Sequence, residues 1–307
     1  MKKIIIGYTG FVGSNLCNQT SFDGFFNSKN VQNAFDSNPD ICVYSGVRAE
    51  KFIANSNEIE DLNIINNAIE NIKKINPKFL VLISTIDVYN QKQNKNENND
   101  ISIDDLEPYG KNRLFLERWV ERNFENYLIV RLPALFGKGL KKNFIYDYVH
   151  RIPNMIKKQK FDELCQIDSN LEYYYEMNQT GFYQLRSLIN NEANRLIEIL
   201  EKIGFTALNF TDSRNQFQFY NLDHLWNHIQ VSIQNGIKKV NLVSEPVSAN
   251  MIYKYLESNE FTNHILEKPL NYNIKTNYSA IFNGNDGYIY NSEFILNEIK
   301  EFIRGKE

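Results

Sequence analysis

The sequence predicts an α/β fold: a doubly wound parallel sheet with a smaller, split C-terminal domain. Three observations carry this. Short apolar runs alternate with helical patterns over the first 140 residues, a glycine turn follows the first of those runs, and the texture changes at Lys141. Strands alternating with helices are the signature of crossover connections in a parallel sheet. In order, KKIIIGYTG opens with a buried-type strand, Lys3 to Gly7, and a short helix follows from Val12 to about Asn18. Gly24 to Lys29 reads as a second strand and Ile41 to Ser45 as a third. Leu62, Ile65, Ala68, Ile69 and Ile72 recur at helical spacing, which predicts a helix over roughly Ile59 to Ile75. KFLVLIST is a continuous apolar strand ending in hydroxyls, and QKQNKNENND is an exposed loop. A helix from Tyr109 to about Phe124 leads into NYLIVRLP, a buried strand stopped by Pro133. Between Lys141 and Thr211 the clearest element is NNEANRLIEILEKIG, a helix ending at Gly204. Beyond Gln216, VNLVSEPV reads as a strand, with helices near Ala249–Leu256 and Ser292–Ile303. Some of these late segments are expected to return to the first domain.

The chain has 307 residues, 42% apolar and 23% charged, which excludes a disordered or collagen-like chain and is long enough for a sizeable core. A net charge of −3 leaves no basic excess for wrapping nucleic acid or holding a membrane surface. Cys17, Cys42 and Cys165 are far apart and form no paired motif, so neither a disulfide framework nor a zinc site is expected. No apolar run approaches the ~18 residues of a membrane span. The three isoleucines after Met1-Lys2-Lys3 are too short for a signal peptide's apolar core. The expectation is a soluble cytoplasmic protein with no nucleic-acid or membrane partner.

The strongest motif is GYTGFVG, residues 7 to 13. Gly7 allows a tight turn out of the strand, Gly10 lets backbone approach a pyrophosphate, and Gly13 lets the helix pack close to the sheet. The helix N-terminus then offers N–H groups and a positive dipole end to phosphates. Thr9, Phe11 and Val12 belong to the same candidate cofactor-binding turn. The competing reading, a glycine-rich turn with no ligand, is weakened by the strand before it and the helix after it. The second signal is ISTIDVY followed by PYGKNR. Ser84 and Thr85 end a strand, where ligands bind in such sheets, and Tyr109 begins a helix. A hydroxyl and a phenol at such a site can share one substrate oxygen. Arg113, one helical turn on, lies on the tyrosine's face and is expected to lower its pKa. Taken singly, each residue has a structural reading, as a cap or a packed ring.

On GYTGFVG, ISTIDVY, PYGKNR and RLPALFG (131–137), the chain resembles the extended short-chain dehydrogenase/reductase superfamily, the NAD(P)-dependent nucleotide-sugar epimerases, dehydratases and reductases. QFQFYNLDHL (216–225) and VNLVSEPVS (240–248) are weaker echoes, and residues 141–212 match nothing in it. The resemblance implies a Rossmann dinucleotide-binding domain over 1–140 and a mainly substrate-binding region over 141–307. It implies Thr85, Tyr109 and Arg113 as the catalytic set, Leu132 among the cofactor residues, a nucleotide-sugar substrate, a homodimer and a place in surface polysaccharide biosynthesis. One departure is plain: the family has Tyr-x-x-x-Lys, and this chain has Tyr109-x-x-x-Arg113. Arginine keeps the charge but is a planar fork of different reach, and Lys111 points to another face. Activity is then either kept at an altered rate or lost in a chain that only binds a nucleotide.

The end of the second strand reads FFNSKN, and Ser28, Lys29 and Asn30 suit a ribose 2′-phosphate better than bare hydroxyls, so NADP is expected over NAD. Asp36 and Asp40 are the alternatives if the strand is misplaced. Ser84, Asn143, Arg214 and Gln216 are the substrate-binding candidates, arginine being the natural fork for a diphosphate. Tyr173–Tyr175 reads as packed aromatics ahead of a base-stacking site. His224 and His228 stand one helical turn apart without a carboxylate in the motif, so no metal site is expected. A 4-keto reductase is favoured over a 4-epimerase. A 4,6-dehydratase is disfavoured because Thr85 is followed by Ile86-Asp87 where that class carries Asp-Glu.

Overall fold

The structure, a computed structural model, describes residues 1–305. By its internal contacts the chain divides into two units, one of residues 1–140, 216–247 and 270–305, the other of 141–215 and 248–269.

The first unit is built on six strands. Five come from the N-terminal stretch: β1 (Lys3–Ile6), β2 (Gly24–Phe26), β3 (Ile41–Tyr44), β4 (Leu80–Thr85) and β5 (Tyr127–Leu132). The sixth is Lys239–Asn241, so the strand-like VNLVSEPV contributes only its first residues. All pair in parallel, in the order β2-β1-β3-β4-β5 and then Lys239–Asn241. The chain steps outward from β1 to β2, then returns to β3 on the other side of β1. That reversal opens a crevice at the carboxyl ends of β1 and β3. A parallel sheet covered on both faces needs strands apolar on both sides. Here Ile5, Val43, Val81 and Val130 face one core, while Ile4, Ile6, Cys42, Leu80 and Leu82 face the other.

Helix α1 (Phe11–Gln19) follows β1 directly. A short helix that periodicity does not reveal, α2 (Lys51–Ser56), precedes α3 (Glu58–Ile75). Asn57 caps α3 by accepting from Glu60 N, acidic residues fill its first turn, Lys73 and Lys74 its last, and Asn76 closes it at φ +50°. Ile65, Ile69, Ile72 and Ile75 bury its apolar stripe against the sheet. Helix α4 (Pro108–Asn123) starts with proline at its first position, where the missing N–H is not needed. Of the loop at 91–100, Gln93 pairs with Asn273.

The second unit packs helices Lys158–Ile167 and Glu192–Ile203 with a three-stranded antiparallel sheet whose middle strand is Phe182–Leu185. Gly204, at φ +76°, ends the second of these helices. Phe161, Leu164, Tyr174, Tyr175, Leu196 and Leu200 form its core. Tyr174 and Tyr175 are therefore packing residues, and exposed Tyr173 carries the Arg186 guanidinium 4.1 Å over its ring.

Candidate active site

The glycine turn is shaped by contacts that exclude side chains. Gly7 has φ +91°, and a Cβ there would lie 2.6 Å from Ser45 O. A Cβ on Gly13 would lie 2.1 Å from Gly7 O, so the first turn of α1 sits directly on the end of β1. Gly10 is the N-cap of α1 and supplies no side-chain cap, and the first turn holds no acid. Phe11 and Val12 pack against the core while Thr9 is exposed, which leaves backbone N–H groups at the helix start. The edge of this cradle is β2, whose Phe26 O accepts from Gly7 N at 2.6 Å. Beyond β2, Asn27–Asn30 form a turn held by the Asn30 side chain, which accepts from Asn27 N and donates to Phe25 O. Ser28 and Lys29 are exposed on that turn, and no carboxylate lies between Gly24 and Phe35 in the sequence. Asp36 and Asp40 stand before β3, at the amino end of the sheet, with Asp40 paired to Lys78 at 2.7 Å.

Three strands away from β2, β4 ends at Thr85. Its Oγ1 accepts from Asp87 N at 3.1 Å, and it stands beside the Tyr109 phenol, whose pKa it helps to pull down. The two meet because α4 comes very close: a Cβ on Gly110 would lie 2.1 Å from Asp87 O. The third residue of PYGKNR thus has a steric requirement that composition does not reveal. Tyr109 N also donates to Asn55 of α2 at 2.9 Å.

Arg113 pulls the Tyr109 pKa down as expected, but its guanidinium is already committed and burial outweighs it. It is 5% exposed, and its guanidinium donates to Asp61 at 2.5 Å, to Tyr109 O at 3.1 Å and to Arg48 O at 2.6 Å. It stacks on the Tyr109 ring face, 3.8 Å from the centroid. The phenol pKa is raised rather than lowered: burial dominates and Asp87 adds to it, over the downward pull of Arg113, Thr85 and Lys51. Lys111 faces away and pairs with Glu58.

Ser84 also departs from its expected role. Its hydroxyl donates to Glu117 at 2.5 Å, inside a buried network in which Arg131 binds the same carboxylate, Tyr89 OH accepts from Arg131, and Asn241 donates to Tyr89 OH. Arg131 and Glu117 are 1% and 0% exposed, so the pair is structural and Ser84 belongs to it. Leu132, opposite Thr85 in register, buries its side chain in the core and keeps only its strand-end position.

Sequence reasoning missed the charged cluster beside Tyr109. Asp87 Oδ1 accepts from Lys51 at 3.2 Å and from Tyr272 OH at 2.9 Å, and Lys92 pairs with it at 3.2 Å. Burial works upward on this carboxyl, but Lys92, Lys51 and the Tyr272 hydroxyl hold it below its ordinary range. Lys51 Nζ also lies 3.2 Å from Glu107 and 3.4 Å from Tyr272 OH. The visible signal was Asp87, two residues after the strand-end threonine. Its partners come from 36 and 185 positions away.

Of the remaining candidates, Gln216 lies exposed in a two-residue strand of the first unit, its N–H bound to Leu270 O. In the second unit, Asn143 caps helix Phe144–His150 by accepting from Ile145 N and Tyr146 N. Arg214 closes a fork on buried Asp212, at 3.0 and 2.8 Å, and donates to Leu266 O, so its guanidinium braces its own loop. His224 binds Glu298 and His228 binds Tyr220, both at 2.8 Å, and burial lowers the His228 pKa to about 4.

The model of the NAD-dependent epimerase/dehydratase family matches residues 24–176. No curated protein sequence matches the chain. Among solved structures, the chain is similar to a dTDP-4-dehydrorhamnose reductase from Yersinia enterocolitica, with 13% identity, 99% of each chain covered and a TM-score of 0.63. It is similar to a UDP-glucose 4-epimerase from Thermotoga maritima at 11% identity, covering 100% of this chain and 99% of that one, with a TM-score of 0.63. A dTDP-4-dehydrorhamnose reductase from Bacillus anthracis, in complex with NADP, matches at 14% identity over 100% of this chain and 99% of that one, with a TM-score of 0.61. At these identities the likeness is one of fold, and it spans both units. The family model runs through β2, the threonine strand and the tyrosine helix, so over residues 24–176 the chain resembles the NAD-dependent epimerase/dehydratase family.

Proposed function

We propose that the protein is a nicotinamide-dependent oxidoreductase acting on a nucleotide-linked sugar, with reduction of a 4-keto sugar ahead of 4-epimerisation. The observation that carries this is the Tyr109 phenol brought beside Thr85 by the close approach of α4 to the end of β4, in the same sheet as the Gly7–Gly13 cradle. The cradle fits a dinucleotide pyrophosphate, since α1 begins there without a side-chain cap or an acid. Ser28 and Lys29, with no carboxylate beside them, suit NADP ahead of NAD. When bound, the nicotinamide supplies the hydride. Thr85 holds the sugar carbonyl oxygen, and Tyr109 gives it a proton. Burial favours the protonated phenol, which suits a proton donor in reduction better than the base that an oxidising first step needs. Ser84, Asn143, Arg214 and Gln216 remain the proposed substrate-side residues only through their backbone positions or loops, since Ser84 and Arg214 have their side chains committed. The homodimer belongs with this reading and is checked by light scattering.

A second reading, a nucleotide-binding protein without turnover, is favoured by the commitment of Arg113 to Asp61. The test is NADPH oxidation over a panel of 4-keto nucleotide sugars. Tyr109→Phe should slow turnover by roughly 10²–10⁴-fold. Tight NADPH binding by the parent with no turnover on any sugar of the panel would establish the second reading instead.

A further inference from the structure

Thr85 and Tyr109 can serve one substrate oxygen only while the end of β4 and the first turn of α4 keep a fixed separation. The helix rests on the strand end at two points. One is backbone contact: a Cβ on Gly110 would lie 2.1 Å from Asp87 O. The other lies two turns along α4, where Glu117 accepts from Ser84 Oγ at 2.5 Å. Strand alternation sends Ser84 to this helix, since Leu80 and Leu82 share its face of β4 and pack with Leu116 and Val120 of α4. Ser84 stands next to Thr85 in sequence, and Tyr109, Arg113 and Glu117 follow one another by fours on the buried side of α4. The Ser84–Glu117 bond thus joins the residue beside Thr85 to the helix that carries Tyr109.

That bond is not needed to balance charge. Arg131 already faces Glu117, with Nη2 2.6 Å from one carboxylate oxygen and Nε 3.1 Å from each. A buried ion pair of this kind stabilises no better than apolar residues of the same volume. What it provides is a fixed direction. Arg131 Nη1 donates to Tyr89 OH at 2.7 Å, and Asn241 donates to the same hydroxyl at 3.0 Å and to Lys275 O at 2.8 Å. Glu117, Arg131, Tyr89 and Asn241 are each 1% exposed or less, so the carboxylate is held from β5 and from the strand Lys239–Asn241 and has no water to turn toward. Ser84 therefore ties α4 to β4 through an acceptor that cannot swing away.

We propose that Ser84 is a positioning residue, whose hydrogen bond to Glu117 sets the place of Tyr109 over the end of β4. Arg131, Tyr89 and Asn241 hold the carboxylate for it. The inference rests on the proposed role of Tyr109 as proton donor. It gives Ser84 a part in the reaction without contact with the substrate, and it assigns the effect to a hydroxyl rather than to the charge pair behind it. Displacing a reacting group by roughly 1 Å is enough to cost ~10²-fold in rate. A loosened helix also admits water to a phenol that burial keeps protonated.

The experiment compares Ser84→Ala, Ser84→Val and Ser84→Thr in the full chain; valine and threonine share a shape and differ in the hydroxyl. Melting temperature, NADPH affinity, and kcat and KM on the 4-keto sugar panel are measured. The Tyr109 phenol is titrated by NMR with isotope-labelled tyrosine, its signal assigned by loss in Tyr109→Phe. Ser84→Ala and Ser84→Val should lower kcat by roughly tenfold or more, with KM and NADPH affinity kept, and bring the phenol pKa down toward its ordinary value. Ser84→Thr should restore both. The melting temperature should fall only slightly in all three, because Arg131 keeps Glu117 paired. Parent-like kcat and phenol titration in Ser84→Ala and Ser84→Val would overturn the assignment, as would a threonine variant no better than the valine one, or variants that lose the fold outright. The NMR titration needs no substrate. A phenol shifted in Ser84→Val and restored in Ser84→Thr, beside a parent inactive on every sugar, would uphold the positioning role and reject the proposed reaction.

Discussion

At the carboxyl ends of β1 and β4, one sheet carries two proposed sites made of different materials. The Gly7–Gly13 cradle is backbone: three glycines, a strand end and a helix start, all within seven consecutive residues. The Tyr109 site is side chains drawn from six places: Lys51, Asp61, Thr85 with Asp87, Lys92, Tyr109 with Arg113, and Tyr272. The cradle depends on what is absent, because a Cβ at Gly13 would lie 2.1 Å from a carbonyl oxygen. The tyrosine site depends on charges that compensate one another. A local motif therefore describes the first site well and the second poorly.

The largest expected effect comes from the cradle. Gly10 has φ −78°, which any residue adopts, and a Cβ there would lie 3.3 Å from Gly7 O, so Gly10→Val should fold once the turn gives slightly, checked by its melting temperature. Its branched side chain occupies the place meant for a pyrophosphate, and NADPH binding should vanish by calorimetry. Unchanged affinity would mean that the cradle does not hold the cofactor, and the comparison would lose one of its two sites. Glu117→Gln tests the opposite property. It leaves Arg131 buried without its counter-charge, so it should cost about 3–5 kcal/mol of stability in urea unfolding. A loss under ~1 kcal/mol would show that the network behind β4 is not held by this pair.

Smaller effects sharpen the contrast. Lys29→Ala should weaken NADPH by on the order of tenfold, the scale of one charge-assisted hydrogen bond, and leave NADH nearly untouched. Equal weakening of both would remove the 2′-phosphate reading. Asp87→Asn gives the smallest change. The folded Asp87 pKa lies below its unfolded value of about 4, so its charged form contributes stability above that pH, lost as pH falls through the folded value. Asp87→Asn should cost about 1 kcal/mol near neutrality and progressively less in acid. A cost that stays constant with pH would mean that the side chain acts by shape rather than by charge.

The elements of the first 140 residues were legible because each is set by neighbours in sequence. The isoleucine spacing of α3, the apolar runs of β4 and β5 and the glycines of the turn follow from periodicity and sterics within a few residues. Helix α2 escaped because six residues are too few for a period to show. Lys51 escaped with it.

Arg113 shows where sequence stops. Its place one turn after Tyr109 was readable, and it does lie on the tyrosine's face. Which carboxylate it meets was not, because Asp61 lies 52 positions away on another helix. The same holds for Ser84 with Glu117 and for Arg214 with Asp212, where the nearest good partner captured a side chain that looked available to a ligand. By itself the sequence determined the doubly wound sheet and the glycine turn between β1 and α1, which rest on local geometry and strand order. Only the tertiary structure decided which charges remain open to a ligand. Coulombic and hydrogen-bond pairing depends on distance in space, and burial makes each unpaired charge too costly to leave alone.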